Sequence, residues 1–244
     1  MRISIVNPNS TRSMTETVAL AARQAAARGT EILAYQNDAG PVSIEGHVDG
    51  ALAVPGLLHA LAIAERDGAD AHIIACFDDT GLDAARSVLK GPVIGIGEAA
   101  ARMATLVARR FSVVTTLSVS VPILEDNLLR AGLAAQCASV RASELPVLAL
   151  EADPSAANAK ISEEIAKAIA EDGAEAIVLG CAGMAEFANH LSEQHGVPVI
   201  EGVSAAVKLM EAAVTLGLKT AKRGGYTPPQ GKPQGFVYPN GMTG

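Results

Sequence analysis

Tryptophan is absent from this sequence, and only seven of its 244 residues are aromatic, four Phe and three Tyr. Apolar residues nevertheless make up 49% of the chain, so its core has to be built from Ala, Val, Leu and Ile. Such a composition is typical of helices that pack on buried parallel strands. The chain is long enough for one large α/β core or for two lobes of roughly 110 residues each.

Basic charge is scarce as well, because 19 Lys and Arg residues stand against 26 Asp and Glu, which gives a net charge of −7. Binding to nucleic acid or to an anionic membrane requires a basic surface, so neither partner is expected. Apolar runs are short and broken by Gly or by charge, and none is expected to reach the ~20 residues that span a bilayer. Residues 1–6 lack the features of a signal peptide, which indicates a cytoplasmic protein.

Cysteine is rare too. The chain has three cysteines, Cys76, Cys137 and Cys181, and this odd number and wide spacing argue against a disulfide framework. The five histidines show no metal-binding spacing and no Cys-x-x-Cys pair exists, so neither a metal nor another cofactor is predicted. His72 falls inside an expected strand and is interpreted as a core residue. His190, nine residues after Cys181, could be the base of a Cys–His hydrolase, but its place late in a helix favours exposure to solvent.

One segment of the sequence occurs twice. Asp67-Gly-Ala-Asp-Ala-His-Ile-Ile-Ala-Cys76 is matched, 105 positions later, by Asp172-Gly-Ala-Glu-Ala-Ile-Val-Leu-Gly-Cys181. In each copy an apolar, strand-like run ends at a cysteine, and weaker matches extend the repeat on both sides. The repeat predicts two similar half-domains, each of which delivers one cysteine from the same structural position. Cys137 has no counterpart and is interpreted as a buried apolar residue.

Strands and helices alternate along the chain. Strands are predicted near 2–6, 31–35, within 67–76, 93–96, 111–116, 137–140, 175–180 and 197–200, and helices near 14–28, 46–66, 80–89, 97–109, 120–131, 155–171, 184–195 and 203–218. The alternation predicts parallel sheets with crossover helices. Pro55 is expected to break the helix over 46–66 into two pieces.

The domain division follows from the repeat. We expect a first lobe over 1–108, a second over 109–221, and residues 203–221 packing back onto the first lobe. Residues 222–244 form a tail rich in Gly and Pro, which is either disordered or an arm on a neighbouring subunit. Tyr226, Phe236 and Tyr238 favour the arm. Ligands of such sheets bind beyond the carboxyl ends of the strands, where both repeat cysteines are placed.

Two thiols on opposite sides of one carbon can invert a stereocentre, because one removes a proton from its face and the other returns a proton to the opposite face. Helix N-termini expected after each cysteine would lower the pKa of the thiol from ~8.5. Asp78 and Asp79 are either a solvated pair in the loop or a helix cap that also affects the pKa of the Cys76 thiol. A decarboxylase or lyase that needs a single cysteine and a small-molecule binding protein are the alternatives.

Four segments carry a resemblance to a known family: Val6-Asn-Pro-Asn-Ser-Thr11, Gly40-Pro-Val-Ser-Ile-Glu-Gly46, Ala75-Cys-Phe-Asp-Asp-Thr-Gly81 and Leu179-Gly-Cys-Ala-Gly-Met-Ala185. Over nearly all of residues 1–222 the chain resembles the Asp/Glu/hydantoin racemase superfamily, and within it the hydantoin racemases. Allantoin racemases have nearly the same motifs. The Phe-Asp-Asp-Thr-Gly run after Cys76, in place of an aromatic followed by Gly-Asp-Pro-Gly, favours hydantoins with varied 5-substituents.

The resemblance implies two flavodoxin-like lobes related by a pseudo-two-fold axis, with the active site in the cleft between them. It also implies racemisation without a cofactor, a small-molecule substrate and a homo-oligomer. By the motif match, Cys76 and Cys181 are the implied acid/base pair. The residues implied to bind the substrate ring are Asn9, Ser43, Phe77, Asp78, Thr116 and Gly183.

Overall fold

Two four-stranded parallel sheets form the framework of the computed structural model, which describes residues 1–230 except the side chains of residues 151, 185 and 186. The first sheet contains β1 (Arg2–Asn7), β2 (Glu31–Gln36), β3 (Ala71–Ile74) and β4 (Val93–Gly95) in the order β2-β1-β3-β4. The second contains β5 (Phe111–Thr115), β6 (Cys137–Ala142), β7 (Ala176–Gly180) and β8 (Val199–Ile200) in the order β6-β5-β7-β8. The matching orders confirm the predicted fold class of two similar α/β lobes.

Helices connect the strands of both sheets. They are α1 (Arg12–Ala25), α2 (His47–Arg66), α3 (Leu82–Val88), α4 (Ile96–Val107), α5 (Val121–Arg130), α6 (Ala149–Ala152), α7 (Pro154–Asp172), α8 (Ala188–His195) and α9 (Gly202–Thr215). Single 3₁₀ segments lie at Ser118–Ser120, Ala134–Gln136, Ala182–Phe187 and Gly224–Tyr226. The short α6 was not predicted from the sequence, and the helix predicted at 184–195 consists of a 3₁₀ segment followed by α8.

The helices that follow the last strand of each sheet lie between the two lobes. α4 contacts β7 of the second sheet, and α9 contacts β3, β4 and α1 of the first. The two helices approach closely, since a Cβ at Gly202 would lie 2.4 Å from the carbonyl oxygen of Ile96. One apolar core therefore includes side chains from both sheets. The division of the chain at 1–108 and 109–221, with 203–221 returning to the first lobe, stays a prediction.

Helix α2 differs from its prediction in two ways. It runs without a break through Pro55, whose missing N–H would have bonded to the carbonyl of Ala51. Ala51 is exposed, so water can bond to that carbonyl and the helix can continue. At 20 residues, α2 is also long and apolar enough to span a bilayer by length and composition, so the expectation that no segment reaches that length is wrong. In the structure α2 packs on β1, β2 and α3.

The start of the C-terminal tail lies against the first lobe of the same chain. The Nζ of Lys222 donates hydrogen bonds to the carbonyls of Arg86 and Ser87 in α3. The hydroxyl of Tyr226 bonds to Asp83 at 3.2 Å, and the Arg86 guanidinium lies 5.9 Å from the centre of the Tyr226 ring. Phe236 and Tyr238, on which the arm hypothesis also rests, lie outside the described residues.

Candidate active site

The two repeat cysteines follow the equivalent central strands of the two sheets. β3 is entirely buried and leads through Ala75 to Cys76, while β7 is entirely buried and leads directly to Cys181. Neither cysteine forms a disulfide bond, and neither is fully buried. Cys137, at the start of β6, forms no disulfide bond either, and its sulfur donates to the carbonyl of Ser139.

A cavity of about 60 Å³ is lined by both repeat cysteines. The first lobe contributes Asn7, Asn9, Met14, Thr17, Val18, Ile44, Ala75, Cys76, Phe77 and Asp78, and the second contributes Thr116, Ser120, Val147, Gly180, Cys181, Ala182 and Gly183. Seven of the eight residues predicted for the site therefore line one cavity, and Ser43 is the exception. The catalytic and substrate-binding roles of these residues stay predictions.

Two asparagines after β1 form a hydrogen-bonded pair at the cavity. The Oδ1 of Asn9 accepts the Nδ2 group of Asn7 at 2.8 Å and the backbone N–H of Thr11 at 2.9 Å. The amide nitrogen of Asn9 is left in contact with the sulfur of Met14 at 3.3 Å. A thioether is a weak acceptor, so a carbonyl oxygen of a bound ligand can replace it. Asn7, which the sequence did not single out, holds Asn9 in this orientation.

Asp78 is held by the second lobe. Its carboxylate accepts the hydroxyl of Ser120 at 3.4 Å, and its backbone carbonyl accepts the side-chain amide of Asn127 at 2.8 Å. Burial raises the pKa of Asp78 to about 6, while the Ser120 hydroxyl and the nearby His47 act in the opposite direction. At neutral pH Asp78 is therefore largely a carboxylate, which can accept an N–H of a bound ring.

Asp79 does not face the cavity but fixes the loop that follows Cys76. Its carboxylate accepts the backbone N–H groups of Gly97 and Glu98 at 2.9 and 2.8 Å, which caps the N-terminus of α4. Its φ of 50° lies in the left-handed region, which a non-glycine residue adopts at a cost. Burial, followed by the charge of Glu98, raises the pKa of Asp79 to about 8. Of the two roles proposed for this pair, capping applies to Asp79.

The environment of Cys76 differs from the one expected. Burial and then the negative charge of Asp78 raise the pKa of the Cys76 thiol, whereas the hydroxyl of Thr80 and the N–H of Asp78 lower it. The expectation that a helix N-terminus lowers this pKa is wrong, because α3 begins only at Leu82. In the second lobe, a 3₁₀ segment begins directly after Cys181, and a Cβ at Gly183 would lie 3.9 Å from the Cys181 sulfur.

Loops from the two lobes meet over the cavity. A carboxylate oxygen of Glu45 accepts the backbone N–H of Val147 at 3.0 Å and the hydroxyl of Ser43 at 3.4 Å. The neighbouring side chain of Ile44 and that of Val147 both line the cavity. Ser43 therefore supports the loop contact through Glu45. Its predicted role in binding the ring directly has no support from its position.

A second, larger cavity of about 680 Å³ shares Phe77 and Asp78 with the first but is lined by neither repeat cysteine. Its walls include Arg86, Glu98 and Tyr226, whose side chains bond to one another through Arg86. Within the described side chains, no group of three or more His, Cys, Asp and Glu could hold a metal ion. The smaller cavity, with its two thiols, is therefore the candidate active site.

Ten lining residues had not been chosen as site residues from the sequence: Asn7, Met14, Thr17, Val18, Ile44, Ala75, Ser120, Val147, Gly180 and Ala182. Asn7 and Ile44 belong to segments already recognised as family motifs, so the motifs could have indicated them. Ser120 and Val147 come from segments without a sequence signal, and only the folded chain places them beside the cysteines.

Comparisons with known proteins agree with this geometry. The family model described as Asp/Glu/Hydantoin racemase matches residues 3–210. A hydantoin racemase of Rhizobium meliloti is 50% identical over 94% of this chain and 95% of its own length. A hydantoin racemase of Pseudomonas sp. strain NS671 is 44% identical over 95% of this chain and 93% of its own length. The structure of an allantoin racemase from Klebsiella pneumoniae superimposes with a TM-score of 0.92 at 51% identity, and the match covers 95% of each chain.

Proposed function

Because this chain belongs to the Asp/Glu/hydantoin racemase family, we propose that it inverts carbon 5 of 5-substituted hydantoins by a two-cysteine mechanism that uses no cofactor. The observation that carries the proposal is that Cys76 and Cys181, delivered by equivalent strands of the two lobes, line one cavity. Racemase activity follows from the family and from relatives at 44–50% identity. The substrate and the roles of the residues are the proposed part.

The chemistry needs two proton-transfer groups and an acidic carbon. Carbon 5 of a hydantoin carries a proton that is acidified by the adjacent carbonyl at carbon 4. One cysteine, as the thiolate, removes this proton, and the electron pair delocalises onto the carbonyl oxygen as an enolate. The thiol on the opposite face then donates its proton to carbon 5, which leaves the carbon inverted and the two cysteines with exchanged protonation states.

The remaining lining residues suit a five-membered cyclic ureide. The amide of Asn9 can donate to a ring carbonyl or to the enolate oxygen, and such a donor stabilises the charge that develops there. The carboxylate of Asp78 can accept a ring N–H. Phe77 is buried and offers an apolar wall, and Thr116 and Gly183 complete the lining on the second lobe.

Burial and the Asp78 charge oppose the thiolate of Cys76. In the proposed cycle Cys76 is the acid for one enantiomer and the base for the other, and its ionisation is the step that these surroundings disfavour. At about 60 Å³ the cavity also leaves little room for water beside a bound ring, where water would compete for the enolate.

The test is to replace each cysteine with serine and follow the optical rotation of an enantiopure 5-benzylhydantoin without added metal or cofactor. Cys76→Ser and Cys181→Ser should each reduce racemisation to the enzyme-free rate, while Cys137→Ser, outside the cavity, should retain the parent rate. In deuterium oxide, each single variant should exchange the carbon 5 proton of one enantiomer only. Full racemisation by either single variant would refute the two-base assignment.

Allantoin, itself a 5-substituted hydantoin, is the second candidate substrate. The observation in its favour is the allantoin racemase structure from Klebsiella pneumoniae, at 51% identity and a TM-score of 0.92. Comparing kcat/KM for enantiopure allantoin with that for alkyl and benzyl hydantoins decides between the two. Release of CO₂ from an arylmalonate would instead support the single-cysteine decarboxylase, against which the second cysteine in the cavity argues.

The assembly and location of the enzyme remain predictions from the sequence. A homo-oligomer would show a mass in solution that is a multiple of the 24.9 kDa chain, measured by sedimentation equilibrium. A cytoplasmic location would show in fractionation of the native cells as activity in the cytosolic fraction.

A further inference from the structure

Thr80 lies next to the sulfur of Cys76. Its hydroxyl donates a hydrogen bond to the Cys76 Sγ at 3.4 Å. Thr80 is only 8% exposed, so the hydroxyl faces little competition from water. A hydroxyl is both donor and acceptor, so it can accept from the S–H of a thiol and donate to the S⁻ of a thiolate without any change in position.

The loop that carries Thr80 is fixed in place. The N–H of Asp79 donates to the carbonyl of Cys76 at 3.1 Å, and the N–H of Leu82 donates to the carbonyl of Asp79 at 3.1 Å. The carboxylate of Asp79 is bonded to the N-terminus of α4, which keeps its left-handed backbone in place. Thr80 therefore contacts the sulfur from a fixed turn, and the contact is present without a bound substrate.

The charged groups around Cys76 disfavour its thiolate. Asp78 and Asp79 are the acidic groups that act on the sulfur, and Asp78 has the larger effect of the two. A neutral donor that favours the ionised sulfur is needed to offset these charges.

We propose that the Thr80 hydroxyl orients the Cys76 sulfur and stabilises its thiolate, so that Thr80 is a positioning residue for one of the two proton transfers. The part of this inference that concerns catalysis rests on the proposed racemase function. The part that concerns the ionisation of Cys76 does not, because it can be measured on the sulfur itself without a substrate.

The inference has a consequence for the kinetics of the two enantiomers. The equilibrium constant between enantiomers in water is one, so kcat/KM must remain equal for both in any variant. A substitution that acts on one sulfur alone therefore lowers both kcat/KM values by the same factor. It changes the individual kcat and KM values unequally, because each enantiomer binds to the enzyme form in which a different cysteine is the thiolate.

The first measurement is the rate at which iodoacetamide alkylates Cys76 in the full-length protein between pH 6 and pH 11, quantified by mass spectrometry of the Cys76 peptide. Thr80→Val removes the hydroxyl and keeps the shape, and Thr80→Ser keeps the hydroxyl. We expect Thr80→Val to slow alkylation about tenfold at a fixed pH and to shift its pH profile upward, since a hydrogen bond to a charged group is lost. Thr80→Ser should match the parent. Thr80→Ala serves as a second hydroxyl-free variant if the valine variant does not fold.

The second measurement is racemisation of both enantiomers of 5-benzylhydantoin by the same variants. Thr80→Val should lower kcat/KM about tenfold for both enantiomers. The share of this loss that appears in kcat, and the share that appears in KM, should differ between the two enantiomers. An unchanged alkylation profile in the hydroxyl-free variants, or an equal shift in Thr80→Ser, overturns the inference. A shifted profile in a protein that racemises no hydantoin supports the role of Thr80 at the sulfur and refutes the proposed function instead.

Discussion

The contact between Glu45 and Val147 joins the lobes over the candidate active site, and we predict that Glu45→Ala weakens substrate binding and turnover. The Glu45 carboxylate accepts the Val147 N–H at 3.0 Å, and the residues that it brings together, Ile44 and Val147, form part of the cavity wall. At about 60 Å³ the cavity is far smaller than the ~300–1,000 Å³ of typical ligand pockets. A substituted ring therefore enters only when these loops separate, and the contact must reform around it.

The magnitude follows from the type of hydrogen bond. A bond to a charged group contributes about 1.5–3 kcal/mol net. Glu45 is partly exposed, so the lower end applies, and about 1.5 kcal/mol corresponds to roughly a tenfold shift toward the separated loops. We expect kcat/KM of Glu45→Ala to fall about tenfold, and Glu45→Gln, which keeps an oxygen acceptor without the charge, to lie between the variant and the parent.

The assay combines racemisation with amide hydrogen exchange. Exchange at the Val147 N–H should accelerate about tenfold in Glu45→Ala, while the loss of about 1.5 kcal/mol should lower the melting temperature by only a few degrees. Ser43→Ala is the matched control. If Ser43 only supports Glu45, its substitution should lower kcat/KM less than Glu45→Ala does, whereas direct binding of the ring by Ser43 predicts a larger loss of kcat/KM. Parent-like kcat/KM together with parent-like exchange at Val147 would show that the loops are not held by this bond.

Three further predictions concern stability and specificity. Gly202→Ala should lower the melting temperature, since overpacking costs about 1–3 kcal/mol. The control, Gly50→Ala, should not lower it, because a Cβ at Gly50 meets nothing within 4 Å. Equal effects of the two substitutions on the melting temperature would contradict the prediction. Burial raises the pKa of Asp79 to about 8, so the parent should lose stability as pH rises toward 8, and Asp79→Asn should flatten this loss in melting scans. Ile44→Ala and Val147→Ala should raise kcat/KM for bulky 5-substituents relative to 5-methylhydantoin; a uniform change across substrates would contradict a role in specificity.

The features that the sequence predicted well are those encoded locally or by the repeat. The apolar runs that end at Cys76 and Cys181 could only be buried strands, and their equal spacing from the Asp-Gly-Ala openings required equivalent places in two sheets. The strand predicted near 31–35 is confirmed as β2, which begins two residues after Gly29, whose φ is 91°. Local signals of this kind need no knowledge of the partner surface.

The errors concern effects that depend on what packs beside a segment. Pro55 does not break α2 because the carbonyl left without a partner belongs to an exposed residue, which the sequence does not reveal. Ser43 carries a family motif but faces Glu45, and Ser120 lies far from any motif but contacts Asp78. The pKa of Cys76 was expected to fall, yet burial raises it, because desolvation depends on the closure of the cavity by both lobes.

The duplication of the lobe accounts for the two cysteines that line one cavity. The differences between the two lobes suit the proposed mechanism, in which one substrate stays bound while both cysteines transfer protons. The chain after Cys76 is an acidic turn that reaches α4 through Asp79, whereas a 3₁₀ segment follows Cys181 at once. A site with identical halves would bind a ring equally well in two flipped orientations and would place its reacting carbon wrongly in one of them. If Asp78 and Gly183 bind the ring as proposed, these unequal surroundings favour a single orientation of it. In the proposed mechanism, inversion then requires only the proton on carbon 5 to change sides, and Asp78, whose charge disfavours the Cys76 thiolate, would also hold the ring for both proton transfers.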